Sequence, residues 1–278
     1  MSAIQALVIA IVQGATELFP VSSLGHAVAL PALLSWHIDQ HAPTFLPFLV
    51  MLHVGTAAAL LAYFWRDWLA ILGGLLGMGS EHHRRESRRV FMLIVVATIP
   101  AVILGFLAEH FFRSLFAIPL IASIFLIANG LMLMAGERAR ARATRPLSQL
   151  SVADAVVIGL WQCLALIPGM SRSGATMVGG LVRGINHEDA AHFSFLIATP
   201  IILGATTLEV PKLLRAGVAH GSFDIAAMAA VVAGVVAWAS TWFLMRYFRR
   251  AMNTAALDPF GWYSIVAGAV LTVWFLFA

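Results

Sequence analysis

Charge is scarce in this chain. Asp, Glu, Lys and Arg together make up 11% of its 278 residues, while 61% are hydrophobic. A soluble domain carries roughly a quarter charged residues and needs polar cover for its surface, so this deficit excludes a soluble globular protein. Cysteine is nearly absent. The single Cys163 excludes an internal disulfide and says little about redox compartment. The N-terminus lacks the charged start and cleavage site of a signal peptide, and no removable segment is expected. Residue-by-residue alternation over ~10-residue segments, the mark of a transmembrane β-barrel, is also missing.

What is present is apolar and comes in blocks. Runs at 45–65, 90–108, 115–135, 224–245 and 260–278 each approach the ~20 residues a helix needs to cross a bilayer. They predict an all-α polytopic membrane protein.

The basic residues orient it. Arg66 and "HHRRESRR" (Arg84, Arg85, Arg88, Arg89) flank one connection. "ERARARATR" (Arg138, Arg140, Arg142, Arg145) forms a second, Arg183 borders a third, and "RYFRR" (Arg246, Arg249, Arg250) begins a fourth. The positive-inside rule places all four on the cytoplasmic side. The formal net charge of +4 is therefore membrane topology, and nucleic acid is not an expected partner, because the arginines sit at the ends of apolar runs and, outside "RYFRR", no aromatic residues interleave with them. Six spans follow, at 45–66, 90–110, 115–135, 193–210, 224–246 and 260–278. Two apolar segments remain, 2–36 and 152–184. Each must begin and end on one side, the first outside and the second inside, so each is expected to be a re-entrant hairpin. "LAILGGLLGM" (69–78) is too short to span and is expected at the interface.

A shift of 149 aligns the two hairpins. "ALVIAIVQ" (6–13) lies over "AVVIGLWQ" (155–162), Ser22 over Ser171, Gly25 over Gly174 and Gly55 over Gly204. Breakers fall at equivalent places, Pro20 in one and Pro168-Gly169 in the other. The chain reads as one membrane domain, 1–278, built from inverted repeats of about 1–149 and 150–278. Such repeats with broken helices place their site near the midplane, where the halves meet.

The polar residues concentrate at those breaks. In "ELFPVSSLGH" (17–26), Pro20 ends one half-helix and Ser22 and Ser23 are good N-caps for the next. Its free N–H groups and positive dipole end suit an anion. "PGMSRSGAT" (168–176) repeats the design with Ser171, Ser173 and Thr176, and adds Arg172, a costly charge in a membrane segment and functional by default. Together they suit a phosphate group. Gln13 and Glu17 are spaced i,i+4 and share a helix face. Glu17 is expensive as a lone buried carboxylate; it suits a divalent metal ligand or a base, with the Gln13 carbonyl facing the same ion. His26, one turn after Ser22 and Ser23, suits a general acid or base, or a nucleophile toward phosphorus.

Blander alternatives exist for each residue. Serines in membrane helices bond back to the i−4 carbonyl, His26 alone would be a satisfied interior histidine, and Glu17 alone would pair with Arg172. The other histidines, His37, His41, His53, His82, His83, His110, His187, His192 and His220, are read as mostly interfacial. Trp65, Trp68, Trp242 and Trp262 fit an aromatic belt. "GGLLG" (73–77) and "GLVRG" (180–184) fit helix packing.

"QGATELFPVSSLGH" and "PGMSRSGAT" together resemble the two signature regions of the undecaprenyl-diphosphate phosphatases of the bacitracin-resistance type, and the resemblance extends over essentially the whole chain. It implies the inverted-repeat fold with two re-entrant hairpins. It implies hydrolysis of undecaprenyl diphosphate to the monophosphate, which recycles the carrier lipid of cell-wall peptidoglycan synthesis. It also implies a bacterial plasma-membrane location, a site facing the periplasm, and dependence on a divalent cation such as Mg²⁺ or Ca²⁺. Carried over by motif position, the catalytic set is Glu17, Ser23, His26 and Arg172. Ser22, Ser171, Arg172, Ser173 and Thr176 contact phosphate, and Glu17 and Gln13 hold the metal. Gln13 leaves one acidic ligand fewer than a two-glutamate version of the motif. The phosphatidic-acid-phosphatase type is excluded, because only "SSLGH" brushes against its motif set.

The expected partners are the polyprenyl diphosphate and membrane lipids, with a homodimer left open. The nucleophile stays open between Ser23, His26 and water. A transporter or flippase for a polyprenyl phosphate is the rival class, since an inverted repeat with a midplane anion site also serves alternating access. A non-catalytic scaffold would not explain a buried arginine and glutamate.

Overall fold

The structure, a computed structural model, describes residues 1–36, 38, 45–116, 118–139, 144–215, 220–251 and 254–277. His37, His41 and the side chain of His220, read above among the mostly interfacial histidines, and Arg140 and Arg142 of the second connection lie outside the described residues. Everything regular among the described residues is helical.

The first half begins with α1 (Ala3–Thr16), α2 (Ser23–Leu33) and α3 (Phe45–Tyr63). It continues with α4 (Trp65–Leu75), α5 (Glu81–Leu107), α6 (Glu109–Phe116) and α7 (Pro119–Ala139). The second half holds α8 (Val152–Gln162), a 3-10 turn (Cys163–Leu166), α9 (Arg172–Val182), α10 (His187–Arg215), α11 (His220–Arg250) and α12 (Asp258–Phe277).

Among the described residues, five helices are long and apolar enough to cross a membrane: Glu81–Leu107, Pro119–Ala139, His187–Thr207, Phe223–Arg250 and Asp258–Phe277. A sixth candidate is the pair Phe48–Tyr63 and Trp65–Leu75, bent by 76° at Phe64. The described residues thus make an all-helical protein with five or six candidate apolar spans. Exposed Ile103, Phe106 and Leu107 on α5, and Val266, Val270 and Val273 on α12, form a lipid-facing surface that a soluble monomer would not carry.

Several element boundaries differ from the sequence expectation, two of them around α5. α5 starts at Glu81, ahead of the apolar run, because "HHRRESRR" is itself a good helix. Ser80 caps it by accepting from the His83 N–H at 3.2 Å, and Glu81 pairs with Arg84 at 3.2 Å and Arg85 at 3.0 Å along one face. The expected spans 90–110 and 115–135 are separated by α6, which starts where α5 breaks at Ala108.

The short apolar helices obey the 149-residue shift closely. Ser2 and Ser151 each cap their helix with a reciprocal capping box, to Gln5 and Asp154. Ser22 and Ser171 each accept from the glycine N–H three residues on, at 3.3 and 3.2 Å. α2 and α9, 11 residues each, occupy equivalent positions.

α3 packs on α11 and α10, α1 on α11, α5 on α8, and α7 on both α9 and α12. The contacts run through small residues, as expected where lipid supplies no hydrophobic drive between helices. At the α3–α11 crossing, a Cβ on Gly55 would collide with the Ala230 carbonyl.

Candidate active site

The two helix breaks meet in the interior. Gly169 makes the second break at φ +94°, and a side chain there would strike the Ala122 carbonyl of α7. In the first break Ser22 takes φ +63°, a conformation costly for a residue with a Cβ and one that clusters at functional sites. Asn129 of α7, fully buried, holds both breaks at once. Its Nδ2 donates to the Pro20 carbonyl at 2.9 Å and to Ser264 Oγ at 3.2 Å, and its Oδ1 accepts from the Ser171 N–H at 3.0 Å. Ser171 Oγ and Ser173 Oγ, 3.0 Å apart, donate to the Phe19 carbonyl at 3.4 and 3.1 Å. Backbone groups freed by a break in a membrane helix must be satisfied within the protein, and these side chains do so.

A cavity of about 250 Å³ opens against the breaks. Its walls are apolar, from Leu24, Val50, Ala101, Leu166, Met170 and Ile201, and its polar end holds Glu17, Ser22, Ser23, His53, Gln162, Ser171 and Arg172. Glu17, 7% exposed, is the hub. Its Oε2 accepts from Gln13 Nε2 at 2.9 Å and from Ser23 Oγ at 2.6 Å, and lies 3.3 Å from His53 Nε2. Its Oε1 accepts from Arg172 Nη2 at 3.3 Å, while Arg172 Nη1 donates to the Ser194 carbonyl at 3.2 Å. The short Ser23–Glu17 bond polarises the hydroxyl in the manner of a nucleophile beside its base. The start of α9 bears Arg172, and α2 starts at Ser23, so two positive helix ends face the same region.

Of the residues expected from the sequence, Glu17, Ser22, Ser23, Ser171 and Arg172 line the cavity; Gln13, His26, Ser173 and Thr176 do not. Thr176 Oγ1 donates to the Arg172 carbonyl at 2.8 Å and pairs with Ser194 Oγ at 2.6 Å, which ties α9 to α10 behind the arginine. His26 turns to the other side of α2. The Ser22 carbonyl can only accept, so His26 Nδ1 donates to it, at 2.7 Å, and Nε2 meets Tyr263 Oη at 2.8 Å. The backbone N–H of His26 reaches that carbonyl at only 3.4 Å, which leaves it open to the ring.

Three residues of the site are not marked as such by the sequence reading. His53 falls there among the interfacial histidines; its one signal is a histidine inside the run 45–65. Asn129 is the one amide within 115–135. Gln162 enters only as the repeat counterpart of Gln13. It lines the cavity, and its Nε2 donates to the Ala97 carbonyl at 3.1 Å.

A divalent cation makes its own demands on the donor set. Among the described residues, no group of three or more His, Cys, Asp or Glu side chains converges as a metal site. Gln13 Oε1, however, is buried without a hydrogen-bond partner among the described residues, on the same amide whose Nε2 donates to the carboxylate. One carboxylate and one amide oxygen suit a hard cation that takes its other ligands from phosphate and water, as Mg²⁺ does. The residues fit that group.

The sequence matches the family described as "Bacitracin resistance protein BacA" over residues 6–270. It is 60% identical to a protein named "Undecaprenyl-diphosphatase" from Granulibacter bethesdensis, with 100% of this chain and 98% of that one covered. It is 56% identical to another of that name from Acidiphilium cryptum, over 97% of each chain. To "Undecaprenyl-diphosphatase 2" of Chromobacterium violaceum it is 48% identical, over 97% of this chain and 98% of the relative.

Proposed function

The chain belongs to the bacitracin resistance protein BacA family, and from that premise we propose that it hydrolyses undecaprenyl diphosphate to the monophosphate and inorganic phosphate, recycling the carrier lipid of cell-wall synthesis. One observation carries the site assignment: an apolar-walled cavity ends on a carboxylate that holds a serine hydroxyl at 2.6 Å and an arginine at 3.3 Å. A lipid diphosphate is amphipathic in the same sense, with an apolar chain and an anionic end.

Ser23 attacks the terminal phosphorus, and its proton goes to Glu17 Oε2. The bond to the bridging oxygen breaks and the lipid monophosphate leaves. Water then releases phosphate from Ser23. Arg172 and the N-termini of α2 and α9 neutralise phosphate charge, which is where most of the catalysis of phosphoryl transfer comes from. Ser22 and Ser171 contact the phosphate. Ser173 and Thr176 act behind them, holding the Phe19 carbonyl and the α9–α10 contact. His26 positions the left-handed Ser22 and with it the cap of α2. Glu17 and Gln13 would hold a divalent cation, which supplies further charge neutralisation when bound.

The fold belongs to the same proposal. α1–α2 and α8–α9 are re-entrant hairpins entering from opposite faces, in inverted repeats of about 1–149 and 150–278, and the bent pair α3–α4 is one span whose second arm lies along the interface. The caps shared at a shift of 149 support this. The protein sits in the bacterial plasma membrane with the cavity open to the periplasmic side. Phosphate release from undecaprenyl diphosphate by the purified protein tests the activity. Ser23→Ala tests the nucleophile.

A further inference from the structure

One of the two helix seams in the repeat is closed and the other is not. In the proposed repeat α10 stands for α3 and α5 for α11, since α1 packs on α11 as α8 packs on α5. Bare backbone closes the α3–α11 seam. A Cβ on Gly55 would strike the Ala230 carbonyl, and one on Gly234 would meet the Gly55 carbonyl at 2.8 Å. Gly204 of α10 lies over Gly55 at the shift of 149, yet a Cβ there opens on empty space, with no described atom of another element within 4 Å. Among the described residues, the α5–α10 seam is open where its counterpart is tightest.

Two spaces lie along that seam. The first is the cavity, to which α5 gives Ala101 and α10 gives Ile201, Ile202 and Ala205. Ala205 is exposed as well as cavity-lining, so the cavity reaches the outside of the bundle at α10. The second is a groove of about 330 Å³ on the outer, lipid-facing side of the same helices. α5 lines it with Phe91, Val95, Thr98, Ile99 and Val102, and α10 with Pro200. Cavity and groove are neighbours. Ala101 precedes Val102 and stands one turn from Thr98, and Ile201 follows Pro200. Gly204, one turn beyond Pro200 on the same face, adds no side chain to the passage.

The groove is nearly all hydrocarbon. Its polar side-chain groups are the Trp68 indole N–H and the Thr98 hydroxyl, and the latter donates to the Ile94 carbonyl at 2.8 Å. Its direction is also informative. From Val102 to Phe91 it follows α5 for about 16 Å at 1.5 Å per residue, toward the end that bears the arginines. A lipid whose head enters the cavity from the outer side has its chain pointing that way. Bulk lipid is as apolar as the groove, so the groove's advantage over it is close packing rather than a hydrophobic drive. Fixed walls of branched side chains suit a stiff, methyl-branched polyprenyl chain better than a mobile acyl chain.

We propose that the polyprenyl chain of the substrate enters sideways through the α5–α10 seam and that the isoprene units just beyond the head lie in this groove, which selects long-chain diphosphates. The proposal rests on the reading of the cavity as the diphosphate site of a hydrolase.

The test has two arms. In the first, phosphate release from undecaprenyl diphosphate and from farnesyl diphosphate, which has only three isoprene units, is measured for wild type, Val95→Trp, Ile99→Trp and Val270→Trp. Val95 and Ile99 are exposed, so an indole fills the groove without entering the core; Val270, exposed on α12, is the control. The expected result is a fall of about fivefold or more in the ratio of kcat/KM for the long substrate over the short one in both groove variants, the low end of the cost of overpacking. That fall should be carried by KM for the long substrate, and the control should keep the wild-type ratio. In the second arm, wild type is photolysed with undecaprenyl diphosphate bearing a diazirine on the fourth isoprene unit from the head. Label on α5 and α10, competed by unlabelled substrate, is expected. A wild-type ratio in the groove variants, an equal fall in Val270→Trp, or competed label confined to other helices overturns the proposal. If the tryptophan variants fail to fold, the site of the label decides. Competed label on α5 and α10 from a wild type that releases no phosphate would strike the hydrolase reading and leave the groove in place.

Discussion

Glu17 draws donors from four directions: Gln13 on its own helix, Ser23 on α2, His53 on α3 and Arg172 on α9. A carboxylate buried in an apolar protein is tolerated only with such company, and the company is chemical as well as structural. In the proposed reaction Ser23→Ala removes the attacking oxygen and leaves the charges in place, so kcat should fall by at least about 10³-fold while binding of the lipid diphosphate persists; steady-state kinetics beside a binding measurement check this. Arg172→Lys keeps the charge but loses the planar fork that reaches Glu17 and the Ser194 carbonyl together. It should lower kcat/KM by about tenfold or more, equal to at least one lost charge-assisted hydrogen bond. The contiguous motif residues Glu17, Ser22, Ser23, Ser171 and Arg172 are legible in the sequence as a cavity wall because short polar runs at helix breaks have few other uses in a membrane. His53 is not, because one histidine in an apolar run carries no partner information. His26 is legible as lying one turn from the serines, yet its rotamer is set by an open carbonyl at Ser22, which spacing does not reveal.

At the scale of elements, the two helix breaks share one fastening. Asn129→Leu would leave the Pro20 carbonyl and the Ser171 N–H unpaired in the interior, at about 1–3 kcal/mol for each buried group. A lowered thermal midpoint in detergent, with loss of turnover at temperatures where the variant stays folded, is the expected outcome. Gly55→Val should push α3 from α11, since even one carbon meets the Ala230 carbonyl. The cost of overpacking is about 1–3 kcal/mol, measured by thermal unfolding, and because His53 lies two residues away, activity should fall with it. The spans are legible from their apolar runs, and the breaks from Pro20 and Pro168-Gly169. The reach of α5 through "HHRRESRR" is not, because a basic run between apolar blocks looks like a loop until its i,i+3 and i,i+4 charge pairs are weighed. The 76° bend at Phe64 has only the shortness of 69–78 as its sign.

For the whole molecule, the proposed orientation rests on the arginines, and the exposed apolar faces of α5 and α12 mark the lipid-facing depth. α5 carries its basic end at Glu81 and its apolar end at Leu107, about 40 Å apart at 1.5 Å per residue. In a Cys163→Ala background, Ser80→Cys should be labelled by an impermeant thiol reagent only from the cytoplasmic face and Ser114→Cys only from the periplasmic face. The reverse pattern would invert the cavity. The most direct measurement is phosphate release from undecaprenyl diphosphate by purified wild type and Glu17→Gln, each with Mg²⁺ and with a chelator. The account predicts release by wild type with the cation, and little from wild type with the chelator or from the variant in either condition. A folded wild type that releases no phosphate, or a Glu17→Gln protein as active as wild type, would contradict it.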